Sequence, residues 1–187
     1  MDKRSVYLVI SHSGTLVSNI VRLITGDKYS HVSISLDDTL LKMYSFGRRK
    51  PYNPLIGRFV CQSRYSGIFK RFSRTVVEVV KLEIPEDKFD SIKAELEDMY
   101  VNREKYKYNY LGLFLAAVGK TRVKKNRFYC SEFMDYLFVK HEIEGYKNES
   151  KIKKPIHFLS IENAEVIYQG RLTDYPVKEE QTQNKAE

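Results

Sequence analysis

Two residues that could act as a nucleophile and a base stand far apart in this chain, Cys130 and His31. Apolar residues follow the cysteine at helical spacing: Phe133, Met134, Leu137 and Phe138. We therefore predict that Cys130 lies at or near a helix N-terminus. The helix dipole and five basic residues in the ten positions before Cys130 would favour the thiolate, which is the nucleophilic form of cysteine. The alternative is a buried structural cysteine, the usual fate of a free thiol.

His31 is the strongest candidate for the base that a nucleophilic cysteine needs. It begins an alternating β-branched run at positions 31–36, so a strand end would hold the imidazole. His12 follows the first apolar run and could line the same cleft, which makes it the main rival. His141 ends the predicted cysteine helix, about 15 Å from its start at the helical rise. His157 lies in an apolar segment and is predicted to be structural.

A third residue should orient the base. Positions 40–46 form the next predicted strand and would pair with the His31 strand, and one of Tyr44 and Ser45 should face the same side as His31. The Ser45 hydroxyl can hold an imidazole, although less strongly than a carboxylate. The alternative is that both are ordinary hairpin residues.

Three segments together resemble a known family. The segments at 29–34 (YSHVSI), 43–48 (MYSFGR) and 128–133 (FYCSEF) look like those of the circularly permuted, NlpC-type papain-like cysteine hydrolases, the YiiX-like group. In that group the histidine strand precedes the cysteine helix, as it does here. The resemblance spans positions 6–159.

The resemblance implies an α+β, papain-like fold in which an antiparallel sheet packs against helices. It also implies Cys130 as nucleophile and His31 as base, with an acyl-enzyme intermediate. Ser45 stands where the family often has a carboxylate, which leaves the orienting residue open. We expect five further residues to shape the substrate cleft: His12, Tyr29, Tyr44, Arg48 and Tyr129.

The order of predicted elements also favours α+β. We predict strands at 6–10, 31–36, 40–46 and 75–84, and helices at 16–24, from Pro85, at 110–118 and from Cys130. The helix after Pro85 should bury an apolar face, namely Phe89, Ile92, Leu96, Met99 and Tyr100. Residues 47–73 are predicted to be a long irregular excursion, and 156–159 and 164–168 to be extended.

Length and composition fit one domain over 1–177 with a disordered polar tail at 178–187. Two distant cysteines do not indicate a disulfide framework, and the histidines and carboxylates lack metal-ligand spacing, so we expect no metal and no cofactor. The apolar runs are too short for a signal peptide or a membrane span. We expect a cytoplasmic protein.

The formal net charge of +8 is concentrated in two blocks. Residues 39–77 carry nine basic side chains and no acid, and residues 105–131 carry seven and no acid. If both blocks line one cleft, the cleft attracts anionic substrates or surfaces, whereas ordinary solvated loops are equally compatible with such runs.

We expect a cysteine hydrolase that acts on a peptide, amide or acyl substrate. Two alternatives stay open: a lipid-directed acyltransferase or thioesterase at anionic membrane surfaces, and a catalytically silent polyanion-binding module. No specific nucleic-acid motif is present. The sequence leaves the substrate, the scissile bond and the oligomeric state open.

Overall fold

A computed structural model describes residues 2–13, 26–50, 53–122, 124–147 and 150–176. Within these ranges the chain forms one eight-stranded mixed sheet and four α-helices, so the predicted α+β class is confirmed. The strands are β1 (Lys3–His12), β2 (His31–Ser35), β3 (Met43–Lys50), β4 (Asn53–Gln62), β5 (Val76–Pro85), β6 (Lys107–Tyr108), β7 (Arg127–Phe128) and β8 (Ala164–Arg171). The helices are α1 (Gly67–Arg71), α2 (Glu86–Val101), α3 (Tyr110–Ala117) and α4 (Cys130–Lys140).

The strand order across the sheet is β7-β6-β4-β3-β2-β1-β5-β8. Every pair is antiparallel except β6 with β7. The strand that begins at His31 therefore lies in the interior of the sheet, between β1 and β3.

Side-chain alternation gives the sheet two apolar faces. One face, here called the helix-covered face, carries Val32 and Ile34 of β2 and packs against α2 and α4 in the larger core cluster. The opposite face carries Val9 of β1 and Met43 of β3, and Phe69 of α1 covers part of it. The first residue of α4, Cys130, belongs to the cluster on the helix-covered face.

Aromatic rings fasten α4 to the sheet. Phe133 is fully buried, and its ring centroid lies 5.3 Å from those of Phe46 in β3 and Phe59 in β4. Phe128 of β7 closes the group at 5.3 Å from Phe46. Tilted and edge-on rings at such distances add to the free energy of area burial, so this group fixes α4 over the interior strands.

The region at 47–73 differs from the prediction. It contains the end of β3, the whole of β4 and the short helix α1, and is not an irregular excursion. In β4, Phe59 and Cys61 pack with the helix-covered core while Arg58 and Val60 alternate with them. Basic residues and Pro54 hide this alternation in the sequence, because proline is uncommon inside strands.

Other boundaries also shift. The strand predicted at 40–46 runs from Met43 to Lys50, because Asp37 Oδ1 accepts the Thr39 N–H at 3.0 Å and Leu40 then takes a positive φ of 56°. Residues 156–159 lie in a 3-10 helix, Pro155–Leu159, and are not extended. Tyr100 is 40% exposed, outside the buried face of α2.

Two predictions fall outside the described residues: the helix at 16–24 and the tail at 178–187. Among the helices of the described ranges, none is long and apolar enough to cross a membrane.

We predict that Phe133→Ala lowers the free energy of unfolding by about 3–5 kcal/mol, because it leaves a cavity among three rings. Urea denaturation would measure the change. The matched control is Phe114→Ala, since Phe114 is 63% exposed on α3 and should change stability by less than about 0.5 kcal/mol. Equal losses in both variants would show that the aromatic group does not hold α4.

Candidate active site

The start of α4 is capped by its own third residue. Tyr129, the N-cap, has an extended backbone, and its N–H donates to Glu132 Oε2 at 3.2 Å. This is half of a capping box, the device that fixes the first turn of a helix. Cys130 is the first helical residue, as predicted, and is 3% exposed.

The same carboxylate ties α4 to α3. Asn109 is the N-cap of α3, and its Oδ1 accepts the Gly112 N–H at 3.0 Å. Its Nδ2 donates to Glu132 Oε2 at 3.1 Å and to the Arg122 carbonyl at 3.0 Å. Both helix starts therefore depend on one buried amide.

The thiol of Cys130 contacts the two peptide groups that flank His31. It donates to the Ser30 carbonyl at a sulfur-to-oxygen distance of 3.9 Å, and the Val32 N–H points at the sulfur. The backbone N–H groups of Cys130 and Ser131 also point at it, from the helix start. The sulfur thus lies at the beginning of β2.

Burial raises the pKa of the Cys130 thiol, although the surrounding N–H groups act in the opposite direction. The expectation that the field around Cys130 gives a resting thiolate is therefore wrong in this structure. Four of the five upstream basic residues are exposed to solvent, where water screens their charge. Loss of hydration outweighs the helix-terminal amides.

His31 is the first residue of β2, and its Nε2 lies 3.1 Å from Ser45 Oγ. The contact between Ser45 and the imidazole is thus present, as the strand pairing predicted. Burial lowers the pKa of His31 to about 4, and the positive charge of Arg48 adds to this effect. The ring is therefore neutral at neutral pH.

Ser45 also decides which ring nitrogen of His31 can accept a proton. Its buried Oγ lies 3.1 Å from the Val32 carbonyl oxygen and 3.3 Å from the Phe46 carbonyl oxygen. A carbonyl oxygen can only accept a hydrogen bond, so the serine must be the donor to it. The hydroxyl proton goes to one of these carbonyls, so Ser45 accepts the proton of Nε2–H. This hydrogen bond selects the tautomer whose Nδ1 has a free lone pair.

Within the described ranges, no hydrogen bond joins the Cys130 sulfur to the His31 ring. Strand alternation places His31 and Ser45 on the face of Met43, whereas Cys130 packs on the helix-covered face. Each group is the first residue of its element, and the sulfur contacts both peptides beside His31. Catalytic contacts often tighten only when substrate binds.

The other histidines differ in their relation to this site. His12 is the last residue of β1, and its Nδ1 lies 3.5 Å from Ser30 Oγ, so it stands beside the peptide that the thiol contacts. His141 follows α4 at the far end, with Nε2 2.5 Å from Glu95 Oε2. His157 Nδ1 accepts the Lys154 N–H at 3.4 Å.

The tyrosines predicted to bind substrate are buried. Tyr29 donates its hydroxyl to Glu78 at 2.5 Å, and Tyr44 stacks on Phe59 at 6.1 Å between ring centroids. Tyr29, Tyr44 and Tyr129 are all under 8% exposed and contribute to the packed interior. Their contact with substrate stays a prediction. Arg48 is half-buried near His31 and the Tyr108 and Tyr110 rings.

A pocket of about 340 Å³ opens beside the site, lined by Ile56, Gly57, Arg58, Glu104, Tyr106, Lys107, Tyr108, Tyr110 and Arg127. Tyr108 lies between the pocket and Cys130, since burial raises the pKa of its hydroxyl well above normal and a negative charge on Cys130 would raise it further. A side chain at position 57 would place its Cβ 2.7 Å from Tyr108 Cβ, so glycine is required there.

Three parts of the site were not found by sequence reasoning: Asn109, Glu132 and Tyr108. Glu132 had a signal, because a glutamate three residues after a helix cap is typical of a capping box. The role of Asn109 depends on α3 and α4 starting side by side, which no local pattern indicates. No family model, no curated protein and no solved structure matches this chain.

The low pKa of His31 makes the stability depend on pH. A histidine with an ordinary value of 6.5 when unfolded and about 4 when folded binds fewer protons in the folded state. Its contribution is therefore complete above pH 6.5 and is lost as the pH falls toward 4.

Between about pH 7 and about pH 4.5 the free energy of unfolding of the wild type should fall. We predict that in His31→Gln this fall is smaller by roughly 2 kcal/mol. This figure is smaller than the full pKa shift implies because pH about 4.5 still lies above the folded pKa of about 4, and because His31 is only half-buried. Urea unfolding at both pH values would measure it, and an imidazole NMR titration would locate the pKa directly. A ring that titrates near its ordinary value would contradict the burial argument.

Proposed function

We propose that this chain is a cysteine hydrolase that cleaves an amide or ester bond through an acyl-enzyme on Cys130, with His31 as the base. The observation that carries the proposal is the position of the Cys130 sulfur, in contact with both peptide groups that flank His31. A nucleophile, a base and a residue that orients the base are the minimum set for this chemistry.

The protonation states favour activation by general base over a resting ion pair. Burial raises the pKa of the Cys130 thiol and lowers that of His31 to about 4. A neutral thiol and a neutral imidazole each cost less free energy in a poorly hydrated environment than their charged forms would. The thiol proton then moves to His31 when the substrate carbonyl is bound, because the developing negative charge passes from the sulfur to the carbonyl oxygen.

The reaction follows from these atoms. His31 Nδ1 takes the thiol proton, and the sulfur forms a bond to the substrate carbonyl carbon. The N–H groups at the start of α4 are donors for the resulting oxyanion. The carbon–nitrogen or carbon–oxygen bond then breaks, and the imidazolium returns its proton to the leaving group. A water molecule, deprotonated by His31, hydrolyses the thioester and restores the thiol.

The pocket lined by Tyr106, Tyr108 and Tyr110, here called the tyrosine pocket, is the candidate site for the acyl part of the substrate. Tyr108 borders both the pocket and Cys130, and Ile56 and Tyr106 give apolar wall. Arg58, Lys107 and Arg127 lie in register on adjacent strands of the same pocket, although Arg58 is paired with Glu104. An acyl group with a negatively charged substituent suits this lining.

We also propose membership of the circularly permuted, NlpC-type papain-like group. The support is the order of the motifs, with the histidine strand before the cysteine helix, and an antiparallel sheet interior against which that helix packs. Ser45 in place of a carboxylate is a departure from the group, and a hydroxyl stabilises an imidazolium less than a carboxylate does.

Acyl trapping tests the nucleophile. We predict that p-nitrophenyl esters and N-acyl amides leave a thioester on Cys130 that intact mass spectrometry and peptide mapping detect. Cys130→Ala should remove the adduct, and His31→Ala should slow its formation by roughly 100-fold or more. Cys61→Ser is the matched control, because Cys61 is the other free thiol and should be dispensable. An adduct that persists in Cys130→Ala would refute the proposal.

Ser45 is a positioning residue, and its effect should fall on kcat. We predict that Ser45→Ala lowers kcat roughly tenfold with little change in KM, because the ring loses its tautomer preference while substrate contacts remain. Ser45→Asn, which keeps an acceptor for Nε2–H, should recover part of the rate. A change confined to KM would place Ser45 among the substrate contacts instead.

A further inference from the structure

Helix α3 exposes an apolar ridge. Leu111 is 48% exposed, Phe114 63% and Val118 56%, and the three recur at spacings of three and four residues along one side of α3 and its C-cap. Seven of the eight residues of α3 are Leu, Phe, Tyr or Ala, so the helix has few polar side chains. Exposed apolar groups of this kind mark interaction surfaces when they are contiguous.

Exposed cations follow the ridge in the chain. The segment that follows α3 carries Lys120, Arg122, Lys124 and Lys125, all exposed, and residues 105–131 contain no acid. Two other exposed apolar side chains of the described helices, Val101 and Val139, lie on helices that carry acidic residues. An exposed apolar ridge followed by a run of exposed cations is complementary to an anionic lipid surface.

We propose that α3 together with Val118, Lys120, Arg122, Lys124 and Lys125, here called the docking ridge, binds the interface of an anionic membrane. Leu111, Phe114 and Val118 enter the boundary between headgroups and acyl chains, and the lysines and arginine contact lipid phosphates. A folded acidic protein would match the charge. A lipid interface also accounts for the exposed ring of Phe114, because acyl chains accept an apolar side chain without a preformed pocket.

The docking ridge is joined to the candidate active site. Asn109 caps α3 and donates to the carboxylate that caps α4, and the wall of the tyrosine pocket includes Tyr110, the first residue of α3. A membrane bound at the ridge would therefore lie next to the pocket. The binding itself does not need a reactive Cys130, so it can be tested apart from the proposed chemistry.

The absence of tryptophan from the chain allows a clean test with the full-length protein. In Phe114→Trp, the introduced indole is the single tryptophan emitter. We predict a blue shift of its emission with phosphatidylcholine vesicles that contain phosphatidylglycerol, and quenching when the lipid carries bromine on its acyl chains. Val101→Trp, at an exposed position on α2, is the matched control and should show neither change.

Vesicle sedimentation would separate the electrostatic contribution to membrane binding from the apolar one. Lys124→Gln with Lys125→Gln should lower the partition coefficient roughly tenfold or more, whereas Lys70→Gln with Arg74→Gln, in the other basic block, should leave it nearly unchanged. Leu111→Ser with Phe114→Ser should also reduce binding. Circular dichroism would verify that these surface variants fold.

Several outcomes would overturn the docking ridge. They are no binding to anionic vesicles, binding that the ridge variants do not weaken, or sedimentation without any shift of the indole emission. Retention on heparin with no vesicle binding would assign the cations to a polyanion instead. Cys130→Ala should bind vesicles as the wild type does, so failure of the hydrolase proposal would leave the membrane result standing.

Discussion

The start of α4 is the constraint on which the candidate site depends. Burial of Phe133 against β3 and β4 sets where the helix lies, and Glu132 sets where it begins. A shift of one residue would turn Cys130 by about 100° around the helix axis and take the sulfur away from the peptides of Ser30 and Val32. Core packing and a buried hydrogen-bond network therefore place one sulfur atom at the end of one strand.

Burial also determines the chemistry that this arrangement supports. A helix N-terminus favours the thiolate through the partial charges of a few N–H groups. Burial disfavours the thiolate more strongly, because the charged form loses its hydration. The result is a thiol with a raised pKa and an imidazole with a lowered one. In the proposed reaction, such a pair would gain reactivity when a bound carbonyl accepts the developing negative charge.

Patterns that are local in sequence predicted the fold well, and patterns that depend on contacts did not. The apolar period after Cys130 predicted α4, and the alternation from His31 predicted β2, because one buried face imposes each period. β4 was missed because its alternating residues include arginine and its start contains Pro54. The contact of Ser45 with His31 followed from strand pairing, whereas Asn109 and Glu132 meet only after α3 and α4 are placed.

The shared amide of Asn109 gives the site and the docking ridge a common mechanical basis. Gly112 is part of it, since a Cβ there would lie 2.1 Å from Asn109 Nδ2, so glycine lets the amide reach both helices. Any tilt of α3 at a membrane would act on Asn109 and hence on the carboxylate that holds the first turn of α4. The helix that carries the apolar ridge and the helix that begins at Cys130 are thus joined through one hydrogen-bonded unit, which would couple the proposed lipid contact to the candidate site.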